Sequence, residues 1–167
     1  KQEVMLEGPS NTGKTRGALE YIDWLCSKYK GGRYLLLRKT LTSLRESTLV
    51  TWEDKVLGER HPAHPARAGG ASRRHRDSYR YPDTGAYVFV SGIDEPSRHL
   101  GTEWDVVFVD EATELTEEDW ETLWIRCRNW ELPFQQMVGC CNPGRRDHWL
   151  NRRFGGGEVG AGRVRLL

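Results

Sequence analysis

The sequence predicts an α/β protein with a mostly parallel central sheet flanked by helices on both faces, and three observations predict it. Short apolar runs alternate with stretches whose apolar residues recur at helical spacing. A glycine- and lysine-bearing loop lies between the first such run and the first such helix. A later run, apolar on both faces as a covered parallel strand must be, ends in two adjacent carboxylates.

The elements follow in chain order. "EVML" (3–6) is a short apolar strand backed by a glycine turn. From Thr15 to Tyr29 a helix is marked by Ala18, Leu19, Ile22, Leu25 and Cys26, and "KGG" (30–32) ends it. "RYLLLR" (33–38) reads as a second buried strand. Residues 41–57 show helical spacing through Leu41, Leu44, Val50 and Leu57, weakened by the β-branched Thr48, Val50 and Thr51. Residues 58–78, with Pro62, Pro65, Gly69 and Gly70, have no periodicity and read as a surface loop. A hairpin is expected over 79–92, turning at Pro82–Gly85. "WDVVFVD" (104–110) is the clearest strand, and 116–128 a helix capped by Thr116 with acidic residues in its first turn. "FQQMVGCC" (134–141) is a strand stopped by "NPG"; after Asp147 a short helix runs into a glycine-rich tail.

At 167 residues the chain holds one domain with a real core, and seven Trp with 37% apolar residues exclude a disordered composition. No apolar run approaches the roughly 18 residues of a membrane span, and residues 1–7 lack a signal-peptide layout. A net charge of +1 excludes a strongly basic nucleic-acid coat. The charge is uneven: residues 58–80 are rich in Arg and His, and residues 94–121 in carboxylates. Cys26, Cys127, Cys140 and Cys141 form no C-x-x-C pair and read as buried, reduced thiols. Trp52, Trp120, Trp124 and Trp130 read as packing residues rather than base-stacking platforms.

Gly8-Pro9-Ser10-Asn11-Thr12-Gly13-Lys14-Thr15 matches G-x-x-x-x-G-K-[ST] at every fixed position. Glycines let successive N–H groups point into one concavity, and the helix that follows adds its positive N-terminus. Lys14 is then placed for the β- and γ-phosphates and the Thr15 hydroxyl for Mg²⁺. A chance glycine–lysine turn is the bland alternative. Asp110, at the carboxyl end of its strand, is the candidate that holds Mg²⁺ through water, and Glu111 the candidate that polarises the attacking water. Their alternative is a solvated pair ending a strand. Asn142 closes the next strand and is placed to touch a γ-phosphate, although Asn-Pro alone is also a turn former. Together these elements predict a P-loop NTPase of the ASCE type.

With "LRKTLTSLRES", "FVSGIDEPSRHLGTEWDVVFVDEATEL" and "CCNPGRRDHWLNRRF", the three elements resemble the ATPase domain of the large terminase subunit of tailed bacteriophages, over about Val4 to Phe154. The resemblance implies an ATP- and Mg²⁺-dependent motor that packages double-stranded DNA into a procapsid in the host cytoplasm. It implies a homo-oligomeric ring as well, with the portal and the small terminase subunit as partners. Gly8 to Thr15 then form the Walker A loop, Asp110 is the Walker B aspartate, Glu111 the catalytic glutamate, and Asn142 part of the coupling motif. Such rings take an arginine from a neighbouring subunit; Arg98 is the candidate, with Arg38 and Arg45 as competitors. Arg73, Arg74 and Arg76 are candidates for the DNA backbone, against a solvated loop. Gln2 is the one trace of the family's adenine-binding segment. The sequence departs from the pattern in having no arginine between Gly8 and Lys14. One terminase-like ATPase domain over 1–167, with a partial lid over about 142–167 and no nuclease domain, is the expected organisation. Two other functions compete. A superfamily 2 helicase-like ATPase would need a second RecA-like domain, and a ring-assembly module would bind nucleotide with little turnover.

Overall fold

The structure is a computed structural model that describes residues 1–68, 72–96, 100–142, 144–155 and 162–166. The apolar runs become β1 (Gln2–Glu7), β2 (Arg33–Arg38), β3 (Ser78–Arg80), β4 (Tyr87–Gly92), β5 (Val106–Val109), β6 (Gln136–Cys141) and β7 (Arg163–Leu166). They form one seven-stranded sheet in the order β3-β4-β2-β5-β6-β1-β7. Every neighbouring pair is parallel except β3 with β4, which is the expected hairpin. The helices are α1 (Lys14–Lys28), α2 over residues 41–57, α3 (Pro65–Ala68), α4 (Glu117–Arg126) and α5 (Trp149–Phe154).

Alternation along the strands splits the core into two layers. Tyr34, Leu36, Phe108, Val138 and Cys140 face α1 and α2, where Leu19, Ile22, Leu25, Leu44, Leu49 and Trp52 meet them. Leu35, Leu37, Val107, Val109, Met137 and Cys141 face the other way, against Trp120 and Leu123 of α4 and Leu150 and Phe154 of α5. Each such side chain contributes about 1.5–3 kcal/mol on burial, so both helix layers are held by the sheet rather than by their own propensity. Gly139 marks a close approach: a Cβ there would lie 2.6 Å from Met5 Cε and 3.0 Å from the Trp120 ring.

The helix expected over 41–57 exists, but it is not regular. α-Helical turns at Leu41–Ser43 and Leu49–Thr51 alternate with π-helical turns at Leu44–Thr48 and Trp52–Leu57. α4 begins with a capping box: Thr116 Oγ1 accepts from the Asp119 amide at 3.1 Å, and Asp119 accepts from the Thr116 amide at 2.9 Å. Helical turns at Pro65–Ala68 and Arg73–His75 break up the segment read as loop.

Two further readings need correction. β7 is a strand where only a glycine-rich tail was expected; it pairs parallel with β1, Glu3 opposite Arg163. Trp130 is not a packing residue, being 68% exposed, whereas Trp52 and Trp120 are fully buried. Glu3 of β1 is itself buried and accepts from Trp120 Nε1 at 2.9 Å, Arg153 Nη2 at 3.0 Å and Arg163 Nε at 3.2 Å. This charge cluster ties β1 to α4, α5 and β7.

Candidate nucleotide-binding site

Because the strands run parallel, β1, β2, β5 and β6 end at one edge of the sheet, and the chain that leaves each of them builds the site. Residues 8–13 follow β1, Asp110 and Glu111 follow β5, Asn142 follows β6, and Arg38 ends β2. β6 lies between β1 and β5, so Asn142 sits between the loop and the carboxylates. Residues 10–13 of the loop, Arg38, Asp110, Glu111 and Asn142 line a cleft of about 410 Å³.

The loop is curled by its own side chain and backbone. Thr12 Oγ1 donates to Pro9 O at 2.9 Å, and the Gly8 amide is tied to Cys141 O. Gly13 has φ +83, in the region that glycine enters freely, and caps α1. Asn11 also lies there, at φ 62. Lys14 Nζ donates to Gly8 O at 2.8 Å, to Pro9 O at 2.6 Å and to Asn142 Oδ1 at 3.4 Å. The ammonium is therefore placed between the loop and β6, within the cleft.

Thr15, on the first turn of α1, donates its hydroxyl hydrogen to Asp110 Oδ1 at 2.9 Å. The other carboxylate oxygen, Oδ2, accepts from Thr48 Oγ1 at 2.6 Å. A hydroxyl and a carboxylate side by side are hard oxygen donors, which suit Mg²⁺. Among the described residues no three His, Cys, Asp or Glu could hold a metal by themselves. The remaining ligands would be phosphate oxygens and water, as is usual for Mg²⁺ at a nucleotide.

Glu111 has φ 51, a left-handed conformation rare for glutamate and costly unless the surroundings enforce it. The turn aims it into the cleft beside Asp110. Burial and the neighbouring Asp110 charge push its carboxyl above the usual glutamate value, against the pull of Arg38 and Lys14. Arg38 donates to Ser47 Oγ at 2.7 Å and to Glu114 Oε2 at 3.4 Å.

α5 is clamped onto the turn behind Glu111. Trp149 Nε1 donates to Leu115 O at 2.8 Å. His148 Nδ1 accepts from the Leu150 amide at 3.3 Å, which leaves Nε2 carrying the hydrogen for Thr113 O at 3.2 Å.

The structure thus brings together Gly8, Pro9, Ser10, Asn11, Thr12, Gly13, Lys14, Thr15, Asp110, Glu111 and Asn142, as the sequence predicts. It does not bring Gln2 there. Gln2 stands at the amino end of β1 and accepts from Gln136 Nε2 at 3.4 Å. At about 3.3 Å per residue, that is the opposite edge of the sheet from the loop. Arg73 and Arg76 turn inward instead of outward: Arg73 pairs with Glu53 at 2.7 Å and Asp54 at 2.8 Å, and Arg76 with Glu53 at 3.4 Å. Glu53 is buried, so these guanidiniums neutralise an internal charge, while Arg74 remains exposed. Arg98 lies outside the described residues. Thr48 and Ser47 were missed as site residues; the one signal was a Ser-Thr pair interrupting the helical spacing of 41–57.

Fold and site define the class: a P-loop NTPase fold of the ASCE type, with one strand inserted between the loop strand and the acidic strand. Solved structures place it further. The large terminase of a thermophilic bacteriophage matches with TM-score 0.74 at 13% identity, covering 99% of this chain and 39% of that one. The same terminase in complex with ATP-gamma-S matches with TM-score 0.74 at 17% identity. The ATPase domain of the Thermus phage P74-26 large terminase matches with TM-score 0.63 at 16% identity, covering 99% of this chain and 74% of that one. The chain therefore shares the fold of large terminase ATPase domains, and spans 39% of the length of the first of these proteins. No protein-family model and no curated protein matches it.

Proposed function

We propose that the chain is the ATP-hydrolysing domain of a motor that packages double-stranded viral DNA. The observation that carries the reading is the hydrogen bond between Thr15 and Asp110, 95 residues apart, in the same cleft as Lys14, Glu111 and Asn142. A capped strand end and a chance turn have no reason to converge in this way. The likeness to large terminases, one of them solved in complex with ATP-gamma-S, supports ATP as the substrate and DNA packaging as the task.

In this reading the curled loop and the N-terminus of α1 cradle the β-phosphate, and Lys14 exchanges its loop carbonyls for phosphate oxygens. Mg²⁺, when bound, neutralises charge shared by the β- and γ-phosphates. Thr15 and Asp110 hold that position. Glu111 takes the proton from the attacking water, for which its raised pKa suits it. Asn142 contacts the γ-phosphate from β6, and α5 carries the change onward. Ring assembly, a trans-acting Arg98, docking on a portal with the small terminase subunit, and work in the host cytoplasm belong to the same proposal. Of the candidates Arg73, Arg74 and Arg76, Arg74 is the one whose exposure supports a DNA contact. No helix among the described residues is long and apolar enough to cross a membrane.

The test is phosphate release by the chain and by Glu111→Gln. The substitution should lower turnover by about 10²–10⁴-fold, the usual worth of a positioned acid or base, while ATP binding persists. Equal turnover in the two proteins would remove the role given to Glu111. ATP binding that survives Lys14→Ala unchanged would remove the phosphate cradle.

A further inference from the structure

We propose that Thr48 is a positioning residue of the metal side of this site. It holds the Asp110 carboxylate in the orientation that keeps Oδ1 on the Thr15 hydroxyl, and so sets how tightly a divalent cation joins the bound nucleotide. The proposal rests on the reading of the cleft as a nucleotide site.

The argument begins with Asp110. The terminal torsion of an aspartate is broad and roughly two-fold, so the side chain does not fix its own carboxylate plane. Here two hydroxyls fix it, one on each oxygen: Thr15 at 2.9 Å and Thr48 at 2.6 Å. Each threonine has a single hydrogen to give. With that of Thr15 committed to Oδ1, its lone pairs are free for a cation. With Thr48 on Oδ2, the carboxylate cannot swing away from Thr15 without leaving a buried oxygen unpaired, since Asp110 is 5% and Thr48 1% exposed.

α2 supplies the reason why Thr48 points there. In the π-helical turn Leu44–Thr48 the Leu49 amide bonds back five residues to Leu44 O. The wider turn accommodates one extra residue. Leu44, Leu49 and Trp52 all stay in the core, while Ser47 and Thr48 face the cleft. Such turns recur at functional sites because they re-aim a side chain without breaking the helix. The next residue along the cleft, Ser47, holds Arg38 at 2.7 Å, so one distorted turn orients side chains at the ends of both β2 and β5.

The test measures ADP binding by calorimetry, with Mg²⁺ titrated in and with the metal chelated, so that no turnover intervenes. Thr48→Val keeps the shape and removes the donor. It should weaken Mg²⁺ affinity in the ADP complex about 10- to 100-fold, the usual effect of losing a residue that orients a metal ligand. ADP affinity in chelator should stay at the wild-type value, and Thr48→Ser should retain most of the Mg²⁺ affinity. An equal loss with and without metal, an unchanged Mg²⁺ affinity, or a serine variant as weak as the valine one would each overturn the proposal. If the valine variant does not fold, Thr48→Cys against Thr48→Ser makes the same comparison, because a thiol donates only weakly. Equal Mg²⁺ affinities in that pair overturn it. Wild-type chain that binds no ADP removes the nucleotide reading, and the proposal with it; wild-type ADP binding that ignores Mg²⁺ overturns the proposal alone.

Discussion

At the scale of single residues, the site is a balance of charges around Glu111. Burial and Asp110 raise its pKa, Glu114 adds to the rise, and Arg38 and Lys14 oppose it. A glutamate that accepts a proton must be ionised, so activity falls as pH drops through this raised value, earlier than an unperturbed glutamate would allow. Arg38→Gln removes an opposing charge and should move the acid limb of the kcat profile to higher pH; a limb that stays or moves down would contradict this charge balance. The parts of the site legible in the sequence were those written locally: Gly8 to Thr15, and Asp110 with Glu111, each a short pattern at the end of a strand. Thr48 was not legible as a part of it, and Arg38 was legible only as a competitor for the arginine of a neighbouring subunit, not as a partner of these carboxylates. The two reach the carboxylates from α2 and β2, and which side chain of α2 faces β5 depends on a π-helical turn that no 3.6-residue periodicity announces.

At the scale of elements, the strands that lie between two helix layers declared themselves by continuous apolar runs, as 33–38 and 106–109 show. β7 did not, because its four residues alternate between half-buried and exposed at the sheet edge and follow a glycine-rich stretch. α4 was legible down to its cap. Burial pushes the Asp119 carboxyl up, but the Thr116 amide and hydroxyl and Lys39 outweigh it and hold the group below its usual value. The sign follows: this contribution to stability is present above the unfolded pKa and is lost as pH falls through the lowered folded one. Thr116→Ala should cost about 1 kcal/mol, read as a lower urea midpoint at neutral pH with an unchanged slope; no shift would mean that the box is not closed in solution.

At the scale of the whole molecule, the cluster around Glu3 joins four elements that are distant in sequence. Burial raises the Glu3 carboxyl, but Arg153, Trp120 and Arg163 together hold it down, so the cluster stabilises at neutral pH and weakens as pH falls through that lowered value. Arg153→Met would leave Glu3 with Trp120 and Arg163 only. Breaking a buried pair in this way costs about 3–5 kcal/mol, and the retained Arg163 places the expectation at the lower end. Glu3→Met with Arg153→Met should recover most of the loss; a double variant no more stable than the single one would show that the charges themselves hold these elements together. The four thiols carry a further consequence. Cys26 and Cys140 lie in one core layer, Cys127 and Cys141 in the other, and all are buried. Burial pushes every one of them up, Cys127 to about 12 and Cys141 to about 11, so hardly any thiolate is present at neutral pH. An alkylating reagent should therefore find nothing to modify until a layer opens. Mass spectrometry of the time course would then read the two layers as separate clocks, each built into the chain without any added label.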